Sequence, residues 1–194
     1  MIKSRLIIFE GIASSGKTKV ARDLKIEFEK KELSVAYISE EVTLMPVIDN
    51  KSVGVASDYL KKQLENLCKE ETDVIIVDRF HFTHIFRTNA EIKHFREIEL
   101  FLSNSFEVYV VLLTIGDDKI KDRILKAMEM RGSKWAKGRR GTIEEKVKYY
   151  MEQQNILKRI AGESSLKVIR IDTSEMRWDK YIAVILESVR GGDF

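Results

Sequence analysis

Gly11-Ile12-Ala13-Ser14-Ser15-Gly16-Lys17-Thr18 decides the reading of this chain. It spells G-x-x-x-x-G-K-T, the phosphate-binding P-loop pattern. Leu6-Ile7-Ile8-Phe9-Glu10 leads into it as a short apolar strand, and Val20, Ala21, Leu24 and Phe28 follow at helical spacing. Each position has a physical task. Gly11 and Gly16 let the backbone turn tightly and approach a polyphosphate without a Cβ clash. Successive N–H groups along Ala13, Ser14, Ser15 and Gly16, with the N-terminus of the helix behind them, face the anion. Lys17 supplies a point charge for the β- and γ-phosphates, and Thr18 offers a hydroxyl to Mg²⁺.

Working outward, the 194 residues predict one domain with a sizeable core, residues 1–194, with a lid at about 131–142. Hydrophobic residues make up 44% and charged residues 34%, an ordinary soluble balance, and the net charge of +3 is too small to demand a nucleic-acid partner. Cys68 is the single cysteine, so no internal disulfide forms. The opening Met1-Ile2-Lys3-Ser4 runs straight into a strand, with neither signal peptide nor membrane span expected, and the cytoplasm is the default compartment. A homodimer is left open.

Strands are predicted at 5–10, 34–39, 73–78, 107–114 and 167–172, as nearly continuous apolar runs suited to a parallel sheet covered on both faces. Helical stripes lie between them: Val53, Ala56, Leu60, Leu64 and Leu67; Ile98, Phe101 and Leu102; Ile120, Ile124 and Ala127; Ile143, Val147, Tyr150, Leu157 and Ile160; and Trp178, Ile182, Ile185 and Val189. Thr142 with Glu145 opens the fourth as a capping box. Strands alternating with helices predict a doubly wound α/β fold around a five-stranded parallel sheet. Ligands of such sheets bind beyond the carboxyl ends of the strands, so those ends hold the candidate site residues.

Glu40 and Glu41 follow the second strand, where a carboxylate could accept a proton from an attacking hydroxyl or bind a substrate group. Asp78 ends the third strand at the Walker-B position for Mg²⁺, and Arg79 beside it could bridge a phosphate or orient a carboxylate. Phe80, Phe82 and Phe86 read either as helix core or as the walls of a flat pocket for a base. His81 and His84 lack a third ligand, which argues against zinc. Residues 131–141 hold five cations (Arg131, Lys134, Lys137, Arg139, Arg140) and three glycines without an acid. This reads as a solvated basic loop, a nucleic-acid contact, or a closing lid that brings Arg139 and Arg140 to a transferring phosphoryl group. Arg123 either joins that cationic shell or pairs with Asp118 or Asp122. Ile171-Asp172-Thr173-Ser174 is a helix-capping sequence placed where backbone could meet a nucleotide base.

Together these residues resemble the thymidylate kinase and deoxynucleoside kinase branch of P-loop kinases. Phe9-Glu10-Gly11 through Gly16-Lys17-Thr18 looks like that branch's F-E-G-x-x-x-x-G-K-[ST], and Asp78-Arg79-Phe80 is similar to its D-R-[YH]. The resemblance implies a nucleoside- or nucleotide-kinase-like P-loop fold with ATP and Mg²⁺ as cofactors and a nucleoside or nucleotide acceptor. It implies that Lys17 serves the phosphates, Thr18 and Asp78 serve the metal, and Arg79 meets the acceptor or orients a catalytic carboxylate. Arg123, Arg131 and Thr173 fall where the family has its lid and adenine loop. The chain departs from it in two places. Ser39-Glu40-Glu41-Val42 replaces the R-E-P of thymidylate kinases and is nearer the deoxynucleoside kinases, whose glutamate acts as base. Phe86-Arg87-Thr88 stands near the place of the alanine-tyrosine-glutamine trio.

Three functions fit the sequence. The first is an ATP-dependent kinase of a nucleoside or nucleoside monophosphate. The second is a nucleotide-hydrolysing switch or regulatory protein, against which stand the missing N-K-x-D signature and the missing glutamine after Asp78. The third is a nucleic-acid-binding module using residues 131–141, which would leave the P-loop unexplained unless the acceptor is a nucleic-acid end; a kinase of another small molecule or of such an end is the related alternative.

Overall fold

The computed structural model describes residues 3–137 and 141–189, and at 131–137 it describes the backbone alone. Five parallel strands form one sheet: β1 (Arg5–Gly11), β2 (Val35–Ile38), β3 (Val74–Asp78), β4 (Glu107–Thr114) and β5 (Lys167–Asp172). Their order is β2-β3-β1-β4-β5. The strand leading into the P-loop therefore lies at the centre. Its register sets Phe9 opposite Asp78 on one side and Gly11 opposite Leu113 on the other. Among the described residues, eight α-helices join or follow the strands: α1 (Lys17–Glu29), α2 (Glu40–Thr43), α3 (Val53–Leu67), α4 (His81–Thr88), α5 (Arg96–Ser105), α6 (Ile120–Lys137), α7 (Ile143–Glu163) and α8 (Trp178–Val189).

Alternation along each strand divides the core in two. Leu6, Ile8, Ile75, Val77, Val110 and Leu112 point into one layer, with residues of α3, α4, α5 and α7. Ile7, Phe9, Val74, Ile76, Tyr109, Val111 and Leu113 point into the other, with α1 and α8. A strand buried on both faces needs apolar residues at every position, and this is why the strands read as unbroken runs. A third cluster packs Ile12 and Ala13 of the P-loop against Ile115, Ile120, Ile124 and Tyr150. Burying a side chain such as Ile12 contributes roughly 1.5–3 kcal/mol, so the loop is anchored from beneath as well as by its own turns.

The predicted capping box is present. Thr142 Oγ1 accepts from the Glu145 N–H at 3.2 Å, and Glu145 Oε2 accepts from the Thr142 N–H at 2.7 Å. Two elements differ from the sequence reading. On α5 the inward stripe is Ile98, Glu99 and Leu102, while Phe101 is exposed. Glu99 is tolerated inside because Arg96 and the Ser164 and Ser165 side chains donate to it at 2.7, 2.5 and 2.8 Å. Burial alone would raise its pKa, but contacts with His81, Ser164 and Ser165 hold it down at about 2. The second difference is the expected lid. Helix α6 continues through Gly132 to Lys137 rather than breaking into a loop at Arg131. Arg139 and Arg140 lie outside the described residues, as does the Arg131 side chain. No helix among the described residues is long and apolar enough to cross a membrane.

Candidate phosphoryl-transfer site

The P-loop is shaped by two glycines with positive φ, +143° at Gly11 and +92° at Gly16. A Cβ at Gly11 would collide with the Leu113 carbonyl, and one at Gly16 would lie 2.5 Å from the Trp178 ring. Close packing on the neighbouring strand and on α8 thus demands glycine at both places, beyond what the turn requires. Ser14 adopts φ 66°, which continues the turn.

The side chains of this loop have the marks of an anion cradle. The Ser14 and Ser15 hydroxyls are buried with no hydrogen-bond partner among the described residues. Lys17 is buried and donates to the loop's own Ile12 carbonyl at 2.9 Å. Burial first, and then the charge of Arg79, lower its pKa from 10.5 to about 7, against the opposing pull of Asp78, Glu40 and Glu10. A polyphosphate would satisfy the orphaned hydroxyls and supply the lysine's missing counter-charge. The Thr18 hydroxyl donates to Asp78 Oδ2 at 2.9 Å, while Asp78 Oδ1 is buried and unpartnered. A hydroxyl and a carboxylate in contact beside a phosphate cradle form a hard-oxygen set suited to Mg²⁺. The nucleotide and its metal therefore fit these residues.

Arg79 links the loop to the acceptor side. It follows β3 with φ 63°, a strained conformation for a side chain of its size. Its N–H donates to the Phe9 carbonyl at 2.9 Å, its Nη1 to the Gly11 carbonyl at 3.0 Å, and its Nε to Glu40 Oε2 at 2.7 Å. Of the two uses expected for Arg79, the geometry is that of orienting a carboxylate. Glu40 opens α2 and is held there; Glu41, next to it, is exposed and joins no contact described at the site.

Sequence reasoning missed what fixes the start of α4 behind Arg79. Glu10 is wholly buried, and its two oxygens accept from the Phe80 N–H at 2.9 Å, the Thr83 N–H at 3.2 Å and the Thr83 hydroxyl at 2.5 Å. Helix α4 has no cap from its own N-cap side chain. A carboxylate from the central strand thus caps it, where the helix dipole favours a negative charge. The signal was an acid inside an otherwise apolar strand, which appeared only as a letter of the F-E-G motif. Thr43 closes the opposite side, donating to the Asp78 carbonyl at 2.9 Å and accepting from His84 Nε2 at 2.9 Å. Burial lowers His84 to a pKa of about 4, so it is neutral and carries its proton on Nε2. His81 turns instead toward Glu99, so the two histidines do not converge. Phe80 and Phe82 are core, and Phe86 packs against them.

On the far side of the loop, Arg123 pairs with neither Asp118 nor Asp122. It donates to the Thr173 carbonyl at 3.0 Å and lies over the Trp178 ring, 5.4 Å from its centroid. The Thr173 hydroxyl lies 3.0 Å from the Ser15 carbonyl, which ties the β5 end to the P-loop. Arg123, Thr173 and Trp178 make one wall beside Gly16.

The family model described as chromatin associated protein KTI12 matches residues 5–93, less than half of the chain. That stretch carries the P-loop, Glu40, Asp78 and Arg79. No curated protein matches the chain significantly in sequence. Solved structures match over nearly the full length. The YorR protein of Bacillus subtilis, solved in complex with phosphorylated GDP, is 22% identical, covers 95% of each chain and gives a TM-score of 0.67. The protein APE1195 is 12% identical over 98% of this chain and 97% of its own, with a TM-score of 0.60. The shikimate kinase of Aquifex aeolicus is 16% identical over 96% of each chain, with a TM-score of 0.50. The fold is that of P-loop kinases.

Proposed function

We propose that this chain is an ATP-dependent kinase that transfers a phosphoryl group to a (deoxy)nucleoside or a (deoxy)nucleoside monophosphate. The carrying observation is the Arg79–Glu40 pair at 2.7 Å, in which the same guanidinium also grips the Gly11 carbonyl of the P-loop. A carboxylate tied to the phosphate loop through one cation supports a reading in which an attacking hydroxyl gives up its proton beside that loop. Lys17 and the loop N–H groups would hold the triphosphate, and Thr18 with Asp78 would hold Mg²⁺, which neutralises phosphate charge when bound. Glu40 serves as base for a hydroxyl acceptor. For a monophosphate acceptor, already ionised, Arg79 becomes the more important contact. The cations of 131–141 enter this reading as a lid on the strength of their sequence.

The test is transfer of labelled γ-phosphate from ATP to a panel of nucleosides and nucleoside monophosphates, with and without excess chelator. A phosphorylated acceptor formed only with Mg²⁺ is the expected result. ATP consumption with no phosphorylated member of the panel would overturn the reading. That outcome would favour the second reading, a nucleotide-dependent regulatory protein, which the match to the KTI12 family model supports.

A further inference from the structure

We infer that Arg87 is the anion anchor of an acceptor subsite, so that the acceptor carries a phosphate or carboxylate beside a flat ring. The inference rests on the kinase reading for the word acceptor, and on the cavity itself for the rest. That cavity, of about 510 Å³, is walled by Ile48, Asp49, Lys51, Arg87, Lys146 and Tyr149. Its walls come from three places: the turn after Pro46, the last turn of α4, and the first turns of α7.

Among the described residues, four arginines are buried or half-buried: Arg5, Arg79, Arg87 and Arg123. Arg5 donates to Glu107, Arg79 to Glu40 and Arg123 to Thr173. Arg87 makes no hydrogen bond or ion pair with the described residues, and none of its nitrogens is sealed from solvent, so the five N–H donors of this half-buried residue are open to a ligand. Asp49 is near enough to act on it electrostatically without forming an ion pair. The charges at the cavity include Lys51 and Lys146 with Arg87, against Asp49 and Glu145. Glu145 is already engaged in capping α7. Capping leaves Glu145 its charge, so three cations face two acids, and the net positive lining favours an anion.

The cavity adjoins the transfer site. Tyr150, at its back, packs on Ile12 and Ala13 of the P-loop, and the charge of Arg79 is felt at Arg87. Tyr149 gives it a flat wall. Its ring stands edge-on to Phe86 and Tyr150, with centroids 5.9 and 5.5 Å away, and it is 47% exposed. A ring fixed by two others and still open to solvent offers a surface for stacking.

The experiment is calorimetric binding with the P-loop filled by a non-hydrolysable ATP analogue and Mg²⁺. The probes are adenosine, guanosine and thymidine, each as the 5′-hydroxyl, the 5′-phosphate and the 5′-carboxylate. At least one base should bind roughly tenfold or more tightly as an anion than as the hydroxyl form. The two anions reveal whether phosphate or carboxylate is the natural group. Arg87→Gln should weaken the anion by roughly ten- to a hundredfold while leaving the hydroxyl form and the ATP analogue unchanged. Arg87→Lys should keep part of the preference, and Asp49→Asn should strengthen it. No anion preference for any base, or a preference that survives in Arg87→Gln, would overturn the inference. Equal losses of melting temperature in Arg87→Gln and Asp49→Asn without a change in discrimination would mark a structural pair and overturn it as well. Because binding is read without turnover, the two readings fail separately. Neutral nucleosides phosphorylated alike by wild type and Arg87→Gln would leave a kinase without this anchor. Arg87-dependent binding without transfer would leave the anchor without the kinase.

Discussion

The proposed donor and acceptor halves of the site are built in opposite ways. The donor half is one loop of eight consecutive residues, in which backbone and short side chains face inward and Lys17 alone brings a full charge. The proposed acceptor half draws Glu40, Arg79, Arg87 and Tyr149 from four separate places in the fold, and it would work through long, charged or aromatic side chains. A loop that binds through main-chain N–H groups depends on φ/ψ, and so on two glycines packed against Leu113 and Trp178. A pocket that binds through side chains depends on how helices α2, α4 and α7 meet. Donor chemistry is therefore hard to alter by one side chain other than Lys17, and acceptor chemistry is easy to alter.

Glu40→Gln should have the largest effect on turnover. If a hydroxyl is the acceptor, the amide keeps the bond from Arg79 but loses the base, and turnover should fall roughly 10²–10⁴-fold with little change in acceptor binding. Steady-state kinetics with the best acceptor of the panel measures this. A loss in KM alone would move Glu40 from proton transfer to binding. Glu41→Gln, whose side chain is exposed, should be near wild type. Lys17→Ala should follow, with turnover falling roughly 10²–10³-fold, the usual result of removing one donor to a charged transition state. Circular dichroism should show an intact fold, since the Lys17 side chain donates to the Ile12 carbonyl of its own loop and to no other element. Wild-type turnover in Lys17→Ala would break the comparison at its donor end.

The donor half was legible for the same reason that it is contiguous. Gly11 through Thr18, the strand before and the helix after can be read in one pass, and the sheet follows from apolar runs such as Val74-Ile75-Ile76-Val77. Asp78 and Arg79 were legible because a strand end locates them. Arg87 was visible only as a departure from a pattern, because nothing local says that α7 will fold Tyr149 beside it. Glu10 was hidden differently. Its purpose lies in the α4 N-terminus, about seventy residues on, which strand pairing alone brings near. Of the two uses weighed for Arg123, pairing with a nearby acid does not occur, because a carbonyl fifty residues away accepts its hydrogen bond.

Glu10 joins the two halves, and its replacement should affect stability more than chemistry. Glu10→Gln keeps one acceptor for the Phe80 and Thr83 N–H groups and loses the charge at the helix N-terminus. Burial raises the pKa of Glu10 despite its donors, so the ionised cap is incompletely compensated and a neutral amide recovers part of the desolvation cost. The two effects oppose, and the expected loss is about 1 kcal/mol, below the roughly 1.5–3 kcal/mol of a hydrogen bond to a charge. Denaturant unfolding would show it. Glu10→Ala, which leaves both N–H groups and the Thr83 hydroxyl unmatched, should lose more. If Glu10→Gln instead abolished transfer at unchanged stability, Glu10 would belong to the chemistry and not to the scaffold.

The smallest effect is a proton, and it tests whether the halves are electrically coupled. Lys17 has its pKa lowered from 10.5 to about 7, by burial first and by Arg79 second. In the empty protein it is mostly neutral at pH 8 and mostly charged at pH 6. A bound triphosphate favours the charged form, so ATP binding at pH 8 should take up nearly one proton through Lys17, and little through it at pH 6. Calorimetry in buffers of different ionisation enthalpy counts that proton. The same shift has a signature in stability. Between pH 7 and 10.5 the unfolded chain holds a proton on Lys17 that the empty folded protein does not, so this group makes the fold more stable as pH rises through that window. Arg79→Ala removes the second cause of the shift. It should raise the pKa of Lys17, move proton uptake to higher pH and bring the charged lysine into the empty loop at pH 8. An uptake window left in place by Arg79→Ala would mean that burial alone sets Lys17, and that the acceptor-side arginine exerts no electrical hold on the donor loop.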